Sequence, residues 1–177
     1  LMGCFPAFAN ERLVIPFEVN EYHHMVVHLE VKGNDRTTGI IDTAATFPMI
    51  NRRTARLAEL LDVEENPPLI NVLGLTGEGI YPVVELETLL IGNVMKQDVP
   101  VALNVDLDVT GAQNVLPASA FEGDVIDFDF ENMQVMVYDG RPDRSVRRVS
   151  SSLKYADENG LIFVEVRING RKGRALI

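Results

Sequence analysis

The chain holds one cysteine, Cys4, among its 177 residues. A lone cysteine cannot close an internal disulfide, so cysteine usage gives no sign of an oxidising compartment. Histidine is scarce too, with His23, His24 and His28 the three copies. His24 and His28 share one face of an extended run, yet no cysteine or carboxylate set beside them completes a metal site. They read as a solvated strand face, and no metal or cofactor is expected. Positive charge is in short supply, with 16 Lys and Arg against 26 Asp and Glu and a formal net charge of −10. The basic residues fall in short groups such as Arg52-Arg53 and Arg147-Arg148. No basic stripe is present to release counterions from phosphates, which argues against nucleic acid as a partner. No run reaches 18 apolar residues, so none is long enough to cross a bilayer as a helix.

What is present suits a folded β-rich domain. Hydrophobic residues make up 46% of the chain, and the length fits one domain, or one domain and part of another. A chain of this size buries about 70% of the surface that its unfolded form exposes. At the start, Leu1-Met2-Gly3-Cys4 resembles the lipobox before a lipidated cysteine. Phe5 to Ala9 resembles the small-x-small end of a cleavable signal peptide. Both readings predict export: a bacterial periplasmic protein, or one held to the membrane by a lipid at Cys4. Residues 1–11 are therefore read as an export-signal remnant or an N-terminal tail.

The rest is mostly strand-like. Leu13 to Val19 is rich in β-formers, with Pro16 at an edge or strand end. Met25, Val27, Leu29 and Val31 alternate with Val26, His28 and Glu30, the period of a half-buried strand. Lys32 to Arg36 is a turn cluster, after which Gly39-Ile40-Ile41 runs into Asp42. Residues 50–61 have helical spacing, and Asn66-Pro67-Pro68 prevents continuation. A glycine-rich hairpin, Leu73 to Ile80, separates this helix from strands at 83–91 and 99–105. Pro117 is expected to open one helical turn, and 125–130 with 133–138 forms a last hairpin. Asp127, Asp129 and Glu131 alternate with Phe128 and Phe130, which is polar-out, apolar-in patterning rather than a calcium site. Asp106 and Asp108 read as loop residues. Residues 140–160 are polar and aperiodic, and are predicted to be a linker.

By itself Asp42 is an ordinary turn aspartate; its flanks distinguish it. Gly39-Ile40-Ile41-Asp42-Thr43-Ala44-Ala45, followed by a helix, resembles the active-site strand, loop and helix of retropepsin-like aspartic proteases. Their signature is two apolar residues and Asp-Thr-Gly-Ala. The hairpin Gly74 to Gly79 is similar to their flap. The pairs 89–93 with 98–101, and 126–129 with 135–137, are similar to the strands that follow. The resemblance covers about residues 12–139. It implies an all-β fold, a retropepsin-like closed barrel or sandwich with one short helix and a flap. It implies Asp42 and Thr43 as catalytic residues, Thr43 bracing the loop by a bond across to the partner loop. Ala44, Ala45, Gly74, Leu75, Thr76, Gly77 and Gly79 would then bind a peptide or protein substrate.

Peptide hydrolysis without a metal or covalent intermediate needs an activated, positioned water. Two close carboxylates supply it, because they cannot easily both ionise and so share a proton, one as base and one as acid. A flap closing over the substrate excludes bulk water. Asp42 needs a partner for this, from a homodimer mate or from a second copy of the domain. Val164 to Gly170 and then Arg174 to Ile177 repeat the pattern Leu29-Glu30-Val31-Lys32-Gly33 and Gly39-Ile40-Ile41. Residues 161–177 are therefore expected to be the first strands of a second, truncated repeat. Two departures count against activity. Ala44 stands where the family has glycine, and Pro117 follows Val115-Leu116 where glycine is expected. They favour a rival reading, an inactive module that grips extended peptides by strand addition. An unrelated ligand-binding β-barrel is a third.

Overall fold

The computed structural model describes residues 12–141 and 155–176, apart from 34, 64, 75–76, 110, 122 and 159–160. Period-two patterning becomes strand wherever it was expected. β1 (Leu13–Val19) buries Leu13, Ile15 and Phe17. β2 (Met25–Val31) buries Val27, Leu29 and Val31 and pairs antiparallel with β3 (Asp35–Asp42). Between them Lys32 and Gly33 take φ of 47° and 84°, the left-handed conformation such a tight turn needs. β1 changes partner along its length. Leu13 to Pro16 lies on β10 (Gln134–Tyr138), and Phe17 to Val19 lies on β2. Pro16, which has no N–H to donate, stands at that switch.

The helix is shorter than its spacing predicts. α1 (Arg52–Leu57) starts where the Asn51 side chain accepts the N–H groups of Arg53 and Thr54 at 3.0 and 3.1 Å. It closes when the Leu60 N–H reaches back to the Ala55 carbonyl at 2.7 Å and Glu59 turns left-handed at φ 58°. The chain thus stops its own helix well before the prolines, which are not the cause.

After α1 come β5 (Leu69–Gly74), β6 (Gly77–Ile91), β7 (Val94–Leu103), β8 (Asn114–Pro117) and β9 (Val125–Asp129). β4 (Met49–Ile50) precedes the helix. The helical turn expected at Pro117 is a 3₁₀ turn at Ala118–Ala120 with Pro117 as its cap. Together β1 to β10 form one ten-stranded mixed sheet in the order β5-β6-β7-β4-β8-β3-β2-β1-β10-β9. A further pairing of β6 with β2 closes β6, β7, β4, β8, β3 and β2 into a ring. The ring encloses Leu29, Val31, Leu86, Leu89, Ile91, Val101 and Leu116, each 3% exposed or less. Each such side chain contributes about 1.5–3 kcal/mol of transfer free energy.

A separate three-stranded antiparallel sheet runs β11 (Tyr155–Glu158), β12 (Leu161–Ile168) and β13 (Arg171–Leu176). β11 puts a strand at Tyr155–Glu158 within the expected linker at 140–160, of which 142–154 and 159–160 lie outside the described residues. Tyr155 and Ala156 find cross-strand partners in Val164 and Phe163, a local pairing with the turn-forming dipeptide Asn159-Gly160 between the strands in sequence.

Candidate active site

Asp42 is the last residue of β3. Its carboxylate Oδ1 accepts the Ala44 N–H at 2.9 Å, and its carbonyl accepts the Ala45 N–H at 3.2 Å. The loop that follows is thus folded onto the aspartate by the aspartate's own acceptors. Asp42, Thr43 and Ala45 are half-buried, and Ala44 is exposed. Ala44 is not among the residues with positive φ, so its Cβ costs this loop no backbone strain.

The loop 43–48 connects β3 to β4, but these strands are not neighbours. β8 is inserted between them, parallel to β3 and antiparallel to β4. Asp42 is opposite Pro117 in this ladder, and Asn114 lies between Gly39 and Ile50. Pro117 is buried and extended, with φ −69° and ψ 158°. It therefore ends the ladder at the level of Asp42, where glycine was expected.

Behind the aspartate lies a buried polar cluster that sequence reasoning missed. Asn114 Nδ2 donates to Thr37 Oγ1 at 2.9 Å and to the Thr38 carbonyl at 2.7 Å. Thr37 and Thr54 share a hydroxyl–hydroxyl bond of 2.8 Å. Gln113 Oε1 accepts both the N–H and the hydroxyl of Thr38, at 3.1 and 2.7 Å. Thr37, Thr54 and Asn114 are at most 3% exposed. One cluster thereby ties the Asp42 strand to α1 and β8. The signal available was polar residues at inward strand phases, which a period count discards as noise.

The flap is a true hairpin: β5 and β6 pair from Leu69↔Pro82 to Gly74↔Gly77. Leu75 and Thr76, predicted to contact substrate, lie outside the described residues. Gly79 sits in β6 opposite Val72, where a Cβ would collide with the Tyr81 ring. Leu69 and Ile80 on this hairpin are each 66% exposed. Beside the loop, a cavity of about 580 Å³ is bordered by Thr46, Phe47, Pro48, Met95, Leu116 and Ser119. Of the predicted substrate-binding residues, none of the described ones lines it. Elsewhere, His28 lies 3.8 Å from Glu18, and His24 lies ahead of β2 rather than on its face.

The arrangement of strands, inserted β8 and flap can be compared with solved proteins. The chain is similar to a retropepsin-like aspartic protease from Rickettsia conorii, with 16% identity and a TM-score of 0.53 over 73% of this chain and 92% of that one. The fold is retropepsin-like. No family model matches the sequence, and no curated protein matches it either. The retropepsin-like fold gives β3, its loop and β8 their places, and it removes the reading as an unrelated barrel.

Proposed function

We propose that this protein is an aspartic endopeptidase in which Asp42 and a second aspartate activate a water for attack on a peptide bond. The observation that carries this is the position of Asp42. It ends a central strand, its loop is folded on its own carboxylate, and β8 flanks it within a retropepsin-like fold. The second carboxylate comes from a second copy of the fold or from a dimer mate. Thr43 braces the loop, and the hairpin with its exposed Leu69 and Ile80 covers an extended substrate. Water held between two carboxylates that share one proton is a base toward one and is polarised by the other.

The test is cleavage of a denatured protein between about pH 3 and pH 7, comparing wild type with Asp42→Asn. The substitution keeps the shape and the acceptor oxygen. A fall in kcat/KM of at least about a hundredfold is expected. Equal cleavage by the two proteins removes the proposal. A second reading has its own observation: Pro117 is buried where the ladder reaches Asp42. Under it the protein binds extended peptides without cutting them. That predicts equal peptide affinity for wild type and the Asp42→Asn variant, and no cleavage by wild type.

A further inference from the structure

The separate sheet β11-β12-β13 repeats the order of β1-β2-β3 and its central cross-strand row. In the first meander, Val27 is flanked across the sheet by Phe17 on one side and Gly39 on the other. In the second, Val164 is flanked by Tyr155 and Ala175. Each row runs aromatic, valine, small residue. From Val27 the inward positions are Leu29 and Val31; from Val164 they are Val166 and Ile168, with Glu165 and Arg167 between them. Both hairpins use two consecutive left-handed residues, Lys32-Gly33 at φ 47° and 84° and Asn169-Gly170 at 50° and 80°, and the first connection is one residue longer, since Val31 pairs with Asp35 and Ile168 with Arg171. This register corrects the pairing read from sequence, which matches Leu29 to Val164. The two differ by two residues, a shift that keeps the inward phase and so leaves a pattern match ambiguous.

We propose that β11-β13 is the opening meander of a second copy of the retropepsin-like fold, and that this copy supplies the carboxylate that faces Asp42. The partner of the first domain is then a domain of the same chain and not a second molecule. Burial supports this. Val31 is 0% exposed because β6 pairs beside it, through Val31↔Leu89. Its counterpart Ile168 is 69% exposed. An apolar inward position left open in this way fits a strand equivalent to β6, which the second copy provides. The count is equally specific. Asp42 is three residues beyond Gly39, so the second aspartate falls three residues beyond Ala175, immediately after Ile177.

The chemistry rests on the proposed role of Asp42, whereas the repeat rests on register alone, and one experiment separates them. The natural full-length protein is peptide-mapped, sedimented, and titrated with a peptide whose scissile carbonyl is replaced by a hydroxymethylene group. The expected result is an aspartate directly after Ile177, a monomer, one inhibitor bound per chain, and specific activity independent of protein concentration. A natural chain without that aspartate overturns the repeat. So does one inhibitor per two chains with specific activity rising with concentration, which leaves Asp42 catalytic in a homodimer. A monomer that has the aspartate but neither binds the inhibitor nor cleaves keeps the repeat and removes the peptidase.

Discussion

Asn114 shows what single residues do here. Its amide holds Thr37 and the Thr38 carbonyl, and Thr37 holds Thr54, so three elements depend on one side chain. Asn114→Ala takes a donor from the buried Thr37 hydroxyl, while the half-buried Thr38 carbonyl keeps the Gln113 N–H at 3.1 Å, so the expected cost is about 1–3 kcal/mol for the Thr37 group. Urea unfolding is expected to show a loss in that range, and a cycle with Thr54→Val is expected to show coupling above about 0.5 kcal/mol. An additive cycle would show that the two act independently. Gly39 is packed as tightly: a Cβ there would meet Leu29 Cδ1 at 3.1 Å and Leu116 Cγ at 3.4 Å. Gly39→Ala is expected to cost about 1–3 kcal/mol by overpacking, measured as a lower urea midpoint at unchanged slope. Ala44→Gly is expected to cost only about 0.4–1 kcal/mol, through the looser unfolded chain, because Ala44 already sits in unstrained backbone. The strand that ends at Asp42 was legible in the sequence from its apolar run and the helix after it. The Asn114 cluster was not, because its partners are distant in sequence and meet only once β8 is inserted.

Elements carry their own signatures. The turn between β9 and β10 is built on Asp129, whose carboxylate accepts the Asn132 N–H at 3.0 Å and the Asn132 Nδ2 at 2.7 Å. The Asn132 side chain first, and its backbone N–H second, hold the Asp129 carboxyl below the usual carboxylate value of 3.8. A lowered folded pKa means that the turn gains stability above the unfolded pKa and loses it as pH falls through the folded one. A carbon-detected titration of Asp129 is therefore expected to have its midpoint below 3.8, and Asn132→Ala to return it toward that value. A midpoint unmoved by Asn132→Ala would remove this account. The hairpin at 125–138 is readable from alternation around Glu131-Asn132, yet alternation marks the carboxylate that organises it only as an outward-facing polar residue. The same limit applies to α1: apolar spacing at 50–61 describes which face is buried, while the left-handed Glu59 that ends the helix leaves no mark on periodicity.

The whole molecule was legible in its strand sequence and much less so in its closure. Alternation places the strands along the chain, but the ring depends on β6 pairing with β7 on one side and β2 on the other, a relation between segments that no local pattern encodes. β11 was missed for a different reason: its partner is adjacent in sequence, and the polar composition around it hid the hairpin dipeptide Asn159-Gly160. One strand also joins two parts of the fold. β6 runs 15 residues, from the hairpin with β5 to the wall of the ring. At about 3.4 Å per residue it is about 50 Å long. Its free portion lies with β5 up to Leu69↔Pro82, and from Val83 onward it is clamped by β7. The hairpin is thus a lever with its fulcrum near Pro82. The stretch from Gly77 to Pro82 makes an arm of about 17 Å, so a flex of about 10° at the fulcrum moves the tip by about 3 Å. A movement of the tip is carried along β6 toward the barrel wall, where Leu89, Leu90 and Ile91 are shared with β2.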